Sequence, residues 1–492
     1  MTQMIGSGLR GAVGGMWLGM ALIWSGHAIG AEVERASMRP AGAISEVSVH
    51  DPAVFRADGR FYIFGSHLAA AVSDDLVSWR MIDGGVKPES KIIPGAPTEM
   101  REALAWGQSR TFWAGVVRQM PNGKFHFYYC VCKGDSPRSA LGLAVADRPE
   151  GPYKHERILL KSGMWGEPSE DGAVYDATVH PNAVDPDVFA DAKGDLWMVY
   201  GSYSGGIYIL RLDNQTGLPL PGQGYGKKLV GGNHARIEAP AMWYDRSSGF
   251  YYLFLSFGGL DSHGGYQIRV ARSKAPDGPF EDARGKDMRL AMGAPRTIFD
   301  DRSIEPFGVK IVGNFQFGGE GGEADGVGYV SPGHNSVFVD EATGRAFVVM
   351  HTRFPGRGEQ HEVRVHRLMI NADGWPTMLP HRFTGVVETA EADGASVPGF
   401  YQLVQHGRQI TREVTRSALV ELKADGTISG GGSWSVGNGG AVVVLGGVEY
   451  RGVFARQWDS VRRRDVMTFS GITSGNGELG GTAIWLSGLA ER

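Results

Sequence analysis

The stretch Asp185-Pro-Asp-Val-Phe189, with Leu196-Trp-Met-Val-Tyr-Gly-Ser202 after a glycine-marked turn, predicts the fold of this 492-residue chain. Two short apolar and aromatic runs joined by such a turn are typical of paired β-strands. The pattern recurs four more times, and the second run often ends in Ser or Gly. The other copies are Asp51-Pro-Ala-Val-Phe55 with Phe61-Tyr-Ile-Phe-Gly-Ser66, Phe112-Trp-Ala-Gly-Val-Val117 with Lys124-Phe-His-Phe-Tyr-Tyr129, Glu238-Ala-Pro-Ala-Met-Trp243 with Phe250-Tyr-Tyr-Leu-Phe-Leu-Ser256, and His334-Asn-Ser-Val-Phe-Val339 with Ala346-Phe-Val-Val-Met-His351.

A third apolar run follows most copies, as in Ala140-Leu-Gly-Leu-Ala-Val-Ala-Asp147. Repeats of about 40 to 50 residues with several strands each are typical of β-propellers, in which neighbouring sheets cover one another's faces. Five copies therefore predict five blades. The spacing rises from 53 residues between Asp185 and Glu238 to 96 between Glu238 and His334. Long inserted loops are expected, and such loops often carry function.

The repeats end near residue 385, and residues 388–397 are rich in Ala, Glu, Gly and Ser, as a linker is. Beyond them, short apolar runs alternate with glycine-dense turns, as in 430–445. We therefore predict an all-β protein with a five-bladed β-propeller at residues 31–385. A small C-terminal β-barrel or β-sandwich domain is predicted at residues 395–492.

The first thirty residues have the pattern of a secretory signal peptide. Arg10 precedes the apolar run 16–24, and the small residues Ala28 and Gly30 satisfy the cleavage rule. The alternative is an uncleaved membrane anchor, but the segment is shorter than the ~20 apolar residues that a spanning helix needs. We predict a signal peptide at residues 1–30, a secreted or periplasmic protein and no membrane association after cleavage.

The composition suits a folded protein and excludes one class of partner. It is 42% hydrophobic and 21% charged, and its 74 glycines indicate many turns. The formal net charge of -4 offers no basic surface for a phosphate backbone, so nucleic acid is not expected as a partner. Cys130 and Cys132 are two apart on a predicted strand and poorly placed to bridge each other. Buried free thiols and a monomeric chain are expected.

Three acids stand at the start of repeats: Asp51, Asp185 and Glu238. The innermost strand of each propeller blade runs along the central channel, so equivalent ends of these strands converge. Like charges in a shared cavity raise one another's proton affinity, which can hold one carboxyl protonated near neutral pH while another stays ionised. An axial pocket with acid and base functions is therefore predicted.

Hydrolysis of a glycosidic bond needs this division of roles. One carboxylic acid protonates the leaving oxygen, and one carboxylate activates water or attacks the sugar. A third carboxylate can tune the acid and orient the substrate. Asp-Pro segments also make ordinary turns, so one such residue alone would more often be structural. Three acids at matched repeat positions favour the catalytic interpretation.

At these residues the sequence resembles glycoside hydrolase family 43, and within it the endo-α-1,5-L-arabinanases. The matching segments extend over most of residues 45 to 380 and follow the family's order. They are Val49-His-Asp-Pro52, Phe64-Gly-Ser-His-Leu-Ala-Ala-Ala71, Asn182-Ala-Val-Asp-Pro186, Gly201-Ser-Tyr-Ser-Gly-Gly-Ile207, Glu238-Ala-Pro240 and Ser331-Pro-Gly-His-Asn-Ser336.

The resemblance implies a role for each acid: Asp51 as general base, Glu238 as general acid, and Asp185 as the residue that tunes the acid and orients the sugar. It also implies inversion at the anomeric carbon, with plant cell-wall arabinan or a related polysaccharide as substrate. His334 matches a histidine that faces a calcium ion in similar enzymes, often through water. Since calcium prefers oxygen ligands, a core histidine is the alternative.

Substrate contacts are expected at Asn182, Trp113, Ser202, Tyr203 and Ser204. The family has such contacts around Asn182 and Ser202. Trp113 and Tyr203 could stack on sugar faces, with core packing as the competing explanation. Ser204 stands where many relatives carry Trp, which predicts a more open cleft. The family's Trp-Ala-Pro is replaced by Trp113-Ala-Gly115, which changes the expected backbone at one subsite.

Two other patterns leave alternatives. His361 and His366 resemble a zinc-protease helix, but the second histidine is one position too late for the i, i+4 geometry, so zinc is discounted. An exo-acting α-L-arabinofuranosidase or β-xylosidase would use the same three acids. Loop shape decides between these enzymes, because an open groove lets a polymer run through and a blind pocket accepts only a chain end. A non-catalytic sugar-binding propeller is a further alternative, since a fold alone establishes no activity.

Overall fold

The computed structural model describes residues 44–318, 327–391, 394–437, 440–473, 477 and 479–489. All of them belong to one compact unit, Met38–Arg492. The predicted signal peptide, residues 1–30, lies outside the described ranges. Within those ranges no helix combines the length and apolarity needed to cross a membrane.

Four antiparallel sheets of four strands follow one another along the chain, each a simple meander. Blade 1 contains β1 (Ala53–Ala57), β2 (Arg60–Phe64), β3 (Ala69–Ser73) and β4 (Trp79–Gly84). Blade 2 contains β5 (Trp113–Gln119), β6 (Phe125–Cys132), β7 (Ser139–Ala146) and β8 (Lys154–Ser162). Blade 3 contains β9 (Asp187–Ala190), β10 (Leu196–Tyr200), β11 (Ile207–Arg211) and β12 (Lys227–Val230). Blade 4 contains β13 (Ile237–Asp245), β14 (Phe250–Phe257), β15 (Gln267–Ser273) and β16 (Val309–Val312).

The fifth sheet completes the propeller and is larger. Blade 5 contains β17 (Phe315–Gln316), β18 (Gly328–Asp340), β19 (Arg345–Arg353), β20 (His361–Ile370) and β21 (Pro376–Met378). All five predicted repeats form the expected hairpins, for example Ala53 opposite Phe64 and Val188 opposite Met198. The predicted five-bladed propeller is confirmed. The helices are short: α1 (Ala96–Glu99), α2 (Arg101–Trp106), α3 (Asp301–Ile304) and 3-10 turns at Ser66–Leu68 and Met288–Leu290.

The propeller core is divided into apolar clusters between neighbouring blades. Phe64 of blade 1 packs with Phe127 of blade 2, and Ile63 of blade 1 packs with Val349 of blade 5. Ser336 of blade 5 also donates a hydrogen bond to the carbonyl of Pro52 in blade 1, at 2.7 Å. Since burying one large apolar side chain contributes ~1.5–3 kcal/mol, each such cluster fixes a blade against the next. The inner strands are thereby held around one axis.

The C-terminal part is a single seven-stranded antiparallel sheet with its own core around Tyr401, Phe454 and Phe469. Its strands are β22 (Gly399–Gln405), β24 (Ala418–Leu422), β25 (Gly432–Gly437), β26 (Gly440–Leu445), β27 (Val448–Asp459), β28 (Arg464–Ile472) and β29 (Ala483–Gly488). After β22 the chain returns to the propeller, where β23 (Thr415–Arg416) pairs in parallel with β17. One strand of the predicted C-terminal range therefore belongs to blade 5. The bounds 385 and 395 stay a prediction.

Candidate active site

Each blade contributes one tripeptide to a narrow channel at the propeller axis. The five tripeptides are residues 51–53, 114–116, 185–187, 239–241 and 334–336. Residues 51–53 and 185–187 run into the first residues of β1 and β9, and the other three tripeptides lie within β5, β13 and β18. Of the predicted repeat starts, Asp51, Asp185 and His334 lie in these tripeptides, and the other two, Phe112-Trp113 and Glu238, immediately precede theirs.

The backbone of four of these axial tripeptides is left-handed at a non-glycine residue. φ is 58° at Asp51, 54° at Asp185 and 47° at His334, and in blade 4 it is 53° at Ala239. Asp51, Asp185 and Ala239 each precede a proline, a position that disfavours helical backbone. Such strained residues cluster at active sites, where the surrounding structure holds them.

Glu238 departs from the predicted repeat register. The left-handed residue before proline in blade 4 is Ala239, so Ala239 corresponds to Asp51 and Asp185, and Glu238 stands one position earlier. The prediction that all three acids occupy matched positions is therefore wrong by one residue. Glu238 still lies at the axis, because a register shift in β13 follows it before regular pairing resumes at Ala241.

Above the channel opens a cavity of about 1160 Å³. It is lined by every predicted site residue: Asp51, Trp113, Asn182, Asp185, Ser202, Tyr203, Ser204, Glu238 and His334. All three acids are at least 93% buried, with exposures of 4% for Asp51, 6% for Asp185 and 7% for Glu238. The structure thus brings the nine residues together around one space.

Asp51 is surrounded by donors. Ser66 donates a hydrogen bond to its Oδ2, His50 Nδ1 lies 2.9 Å from Oδ2, and His334 Nδ1 lies 3.0 Å from Oδ1. Burial alone would raise the pKa of Asp51, but His334 and His50 outweigh burial and hold that pKa well below its usual range. Asp51 is therefore a carboxylate across the neutral range, as a general base must be.

A third imidazole supports the backbone of Asp51. The main-chain N–H of Asp51 donates a hydrogen bond to His351 Nδ1 at 3.1 Å. The ring of His351 stacks on His50 with a centroid distance of 4.1 Å. Burial lowers the pKa of His351 well below its usual value, so this ring is neutral and Nδ1 is free to accept. His351 thus helps to hold the left-handed conformation that directs Asp51 into the cavity.

Both oxygens of Glu238 accept hydrogen bonds. Ser202 Oγ donates to Oε2 at 2.7 Å, and Tyr266 OH donates to Oε1 at 2.8 Å. Burial raises the pKa of Glu238, while His334, Ser202 and Tyr266 oppose the rise without cancelling it. Ser202, predicted as a substrate contact, is therefore placed to orient the acid.

Asp185 has one hydrogen-bond donor among the described residues, whereas Glu238 has two. That donor is the Ala239 amide, 3.4 Å from Oδ2. Burial raises the pKa of Asp185 to about 8, His334 opposes this, and the charges of Glu238 and Asp51 add to it. Since two buried carboxyls that interact share their titration, the pair retains a proton near neutral pH. The site therefore combines an ionised carboxylate, Asp51, with the pair of Asp185 and Glu238, which retains one proton.

Asp185→Asn should lower the pH at which activity is lost on the alkaline side, by about one unit. The reason is that the charge of Glu238 raises the pKa of Asp185; this coupling is reciprocal, so a charge at Asp185 also raises the proton affinity of Glu238, and an amide removes this effect. The measurement is kcat/KM between pH 5 and 10. Asp187→Asn is the matched control, because the half-buried Asp187 carboxylate accepts a hydrogen bond from the Met242 amide at 2.8 Å. An unmoved or raised alkaline limb in Asp185→Asn would contradict this coupling.

The other residues predicted to contact substrate differ in how far the protein itself already engages their side chains. Trp113 is half-buried and its indole N–H donates to the Cys132 carbonyl at 3.0 Å, leaving ring surface on the cavity. The Asn182 amide oxygen accepts a hydrogen bond from Ser139 at 2.5 Å. Tyr203 donates to the Gly258 carbonyl at 3.1 Å. Asn182 and Tyr203 thus have structural partners as well as cavity surface, and Ser204 is buried in the wall.

Two further sequence interpretations can be compared with the structure. His361 and His366 lie on strand β20 and not on a helix, so their spacing places them on opposite faces. At Gly115, a Cβ atom would come within 2.8 Å of both the Phe127 ring and the Tyr128 carbonyl. A glycine at this position therefore accommodates the close approach of β6 where the family carries proline.

Sequence reasoning missed His50, Ser66, Tyr266 and His351. Part of the signal was present in the sequence, since Ser66 and His351 end the second apolar run of their repeats, as do Ser202 and Ser256. Ser256 Oγ accepts the main-chain N–H of His334 at 2.9 Å. The residue that ends the second run of these repeats thus contacts a residue at the propeller axis, which a comparison of repeat ends would have indicated.

His334 lines the cavity together with the three acids and is the candidate partner of a cation. Burial opposes its protonation, but Asp51 and Asp185 raise the pKa of His334 to about 9. Its Nδ1 faces Asp51, and Nε2 has no hydrogen bond among the described residues. At that pKa both ring nitrogens carry a hydrogen near neutral pH, so a bound cation would have to displace the proton on Nε2, while Nδ1–H would still face Asp51. The donor set of one imidazole near three carboxylates fits Ca²⁺ that is otherwise bound by water.

Comparison with known proteins places this arrangement in a family. Residues 42–298 match the family model "Glycosyl hydrolases family 43", and residues 380–486 match a "C-terminal lipocalin-like domain". The first match contains Asp51, Asp185 and Glu238. The second covers the seven-stranded sheet except for the last two residues of β29.

Full-length relatives share both parts. The chain is 53% identical to the extracellular endo-α-(1→5)-L-arabinanase 2 of Bacillus subtilis strain 168, over 89% of this chain and 92% of that protein. It is 44% identical to the extracellular endo-α-(1→5)-L-arabinanase of Thermotoga petrophila, over 89% and 93%. The crystal structure of the family 43 protein YxiA of Bacillus licheniformis superimposes with a TM-score of 0.87 at 51% identity, over 92% of this chain and 100% of that one. The chain therefore belongs to the glycosyl hydrolases of family 43.

Proposed function

We propose that the protein is an extracellular endo-α-1,5-L-arabinanase that cleaves its substrate with inversion. The observation that carries the proposal is that three buried carboxyls line one cavity in two different environments. The donors around Asp51 favour its ionised form, and burial favours a retained proton on the pair of Glu238 and Asp185. Hydrolysis of a glycoside requires this division. A propeller that only binds sugar has no need of buried carboxylates with opposed pKa shifts. The names of the two relatives support arabinan as the substrate.

In the proposed reaction Asp51 accepts a proton from a water molecule, which attacks the anomeric carbon. Glu238 donates its proton to the leaving glycosidic oxygen, so that one C–O bond forms while another breaks. Ser202 and Tyr266 fix both oxygens of Glu238 before the substrate binds. Asp185 and Glu238 interact and share their titration, and a charge on Asp185 favours the protonated form of Glu238 that the acid role requires. Asp51 and Glu238 are regenerated by exchange of protons with solvent.

The proposed location outside the cytoplasm rests on two observations. Residues 1–30 have the pattern of a signal peptide. Both full-length relatives are named extracellular. Export would bring the enzyme to a polymer too large to enter the cell.

The proposal is tested by incubating the full chain with linear arabinan, arabinoxylan and xylan and separating the products by length. An endo-arabinanase releases mixed oligosaccharides from arabinan early in the reaction. Release of arabinose alone would replace the proposal with an exo-acting arabinofuranosidase. Faster release of reducing ends from xylan would replace it with a xylosidase.

We also propose that His334 binds a calcium ion. Bound there, the cation would supply positive charge that offsets the mutual repulsion of the nearby carboxylates. The residues that would hold it are His334, directly or through water, and the carboxylates around it through water. Asp51 orients the imidazole for this role through Nδ1.

A chelator should therefore lower both the melting temperature and the activity, and added Ca²⁺ should restore both. A ligand at 100 times its Kd stabilises the folded state by ~2.7 kcal/mol. His334→Gln is the matched variant, because it should lose the response to the chelator. Calorimetry and reducing-sugar release provide the two readouts. Identical melting curves and rates with and without chelator in the wild type would count against the ion.

A further inference from the structure

Large apolar side chains are concentrated at the mouth of the cavity. Among the described residues eleven large hydrophobic side chains are exposed, and four of them line this one cavity. Two lie on the chain between β8 and β9, namely Trp165 (52% exposed) and Val174 (61%). The other two lie between β15 and β16, namely Ile298 (70%) and Phe299 (51%). We call these pairs the first and second apolar lips.

The first lip is supported from below. The ring of Trp165 meets the ring of Tyr175 edge to face, with centroids 5.2 Å apart. Tyr175 is 4% exposed and its hydroxyl donates to the Pro181 carbonyl at 3.1 Å. Pro168 and Val174 form a β-bridge that closes the loop. Trp165 is therefore an exposed aromatic face on a rigid support.

The second lip is held in a strained backbone. φ is 59° at Phe299, a left-handed conformation that an aromatic residue adopts only when its surroundings impose it. Its ring lies 5.5 Å from the ring of Tyr203, and the guanidinium of Arg236 lies 6.0 Å from the same ring. Arg236 is itself ion-paired with Asp301. The strain keeps an apolar ring at the cavity wall and in contact with solvent.

The size of the cavity indicates what these lips contact. At about 1160 Å³ it exceeds the ~300–1,000 Å³ of a pocket for a drug-sized ligand, so it has room for several sugar units. Furanose rings expose C–H groups that pack on aromatic faces, and contiguous exposed apolar surface marks a binding site. The lips are continuous with the carboxylates, because all of them line one space.

Building on the arabinanase function proposed above, we infer that Trp165 and Phe299 bind pentose units of the polysaccharide beyond those at the three acids. Their contacts with these additional units favour a long chain over a short oligosaccharide. The lips are thus specificity-determining elements of the site. They add affinity for each further sugar without acting on the reacting bond.

The test compares Trp165→Ala, Phe299→Ala and the double variant with the wild type on linear arabinan and on arabinotriose. Each single variant should lower kcat/KM on the polymer by about tenfold or more, since each loses an aromatic contact with the bound chain. The rate on arabinotriose should stay within about threefold. Phe400→Ala is the control, because Phe400 is an exposed aromatic residue of β22 outside the cavity lining.

A binding measurement separates affinity from catalysis. In the Glu238→Gln background, calorimetric titration with arabino-oligosaccharides of increasing length should show affinity that rises with length. The double lip variant should lose this rise. If the wild type cleaves arabinan and the double variant keeps its kcat/KM on the polymer, the inference about the lips is overturned while the proposed function stands. If the wild type releases nothing from arabinan, the proposed function itself fails.

Discussion

Glu238→Gln should reduce kcat on linear arabinan by about 10²–10⁴-fold while leaving the affinity for arabino-oligosaccharides nearly unchanged. The amide has no proton to give to the leaving oxygen. It keeps the size of the side chain and an oxygen that accepts from Ser202 or Tyr266. Single-turnover hydrolysis and calorimetric binding are the two measurements.

Glu388→Gln is the matched control for this experiment. Glu388 is also a buried glutamate, and burial raises the pKa of Glu388 to about 7. It contacts Gln457 of β27 and lies outside the cavity lining. Equal residual activity in the two variants would show that Glu238 is not the proton donor.

Asp51→Asn should cause a loss of similar size for a different reason. The amide cannot take the proton of the attacking water, and the ion pairs with His334 and His50 disappear. We expect kcat to fall by about 10²–10⁴-fold, because the substrate binds but its glycosidic bond is rarely cleaved. Asp83→Asn is the control, because it alters another buried aspartate of blade 1 that accepts the Lys91 amide at 2.7 Å.

Azide distinguishes loss of the base from loss of the fold. In Asp51→Gly, a small anion can occupy the space of the carboxylate and attack the anomeric carbon while Glu238 still protonates the leaving oxygen. Azide should then restore turnover and give a glycosyl azide of inverted configuration. Failure of azide to restore turnover, in a variant that keeps the wild-type melting temperature, would contradict the role of Asp51 as base.

The propeller could be predicted from the sequence because the pattern that specifies each hairpin is short and occurs five times. Each hairpin, such as Phe250 to Ser256 after Glu238, shows the apolar run and the turn within about twenty residues. Five repetitions of a weak pattern are a strong signal. The axial position of Asp51 and Asp185 then follows from propeller geometry, because residues before the inner strands face the channel.

The histidine cluster could not be predicted in the same way. His50 and His351 stack although 301 positions separate them, because blade 5 closes on blade 1. A single sequence shows neither the closure contacts nor the ring orientations. The one-residue offset of Glu238 was hidden for a related reason, since it depends on the local register shift of β13 and not on the order of residues.

The apolar lips lie on loops that are not part of the repeated strand pattern, so the repeats do not predict their conformation. Phe299 reaches the cavity only because its backbone is left-handed and Arg236 and Tyr203 hold its ring. The spacing between Glu238 and His334 predicted a long insertion, and the structure places the second lip in it. Only the three-dimensional structure shows which side chains of this insertion face the cavity.

Proton NMR of the first products from linear arabinan tests the proposed roles of Asp51 and Glu238 most directly. If Asp51 activates water opposite Glu238, each newly formed reducing end is released as the β-anomer and converts to the α-anomer only by later mutarotation. Early accumulation of the α-anomer would show that an enzyme carboxylate attacks the sugar, which would contradict the assignment of Asp51 as base and Glu238 as acid.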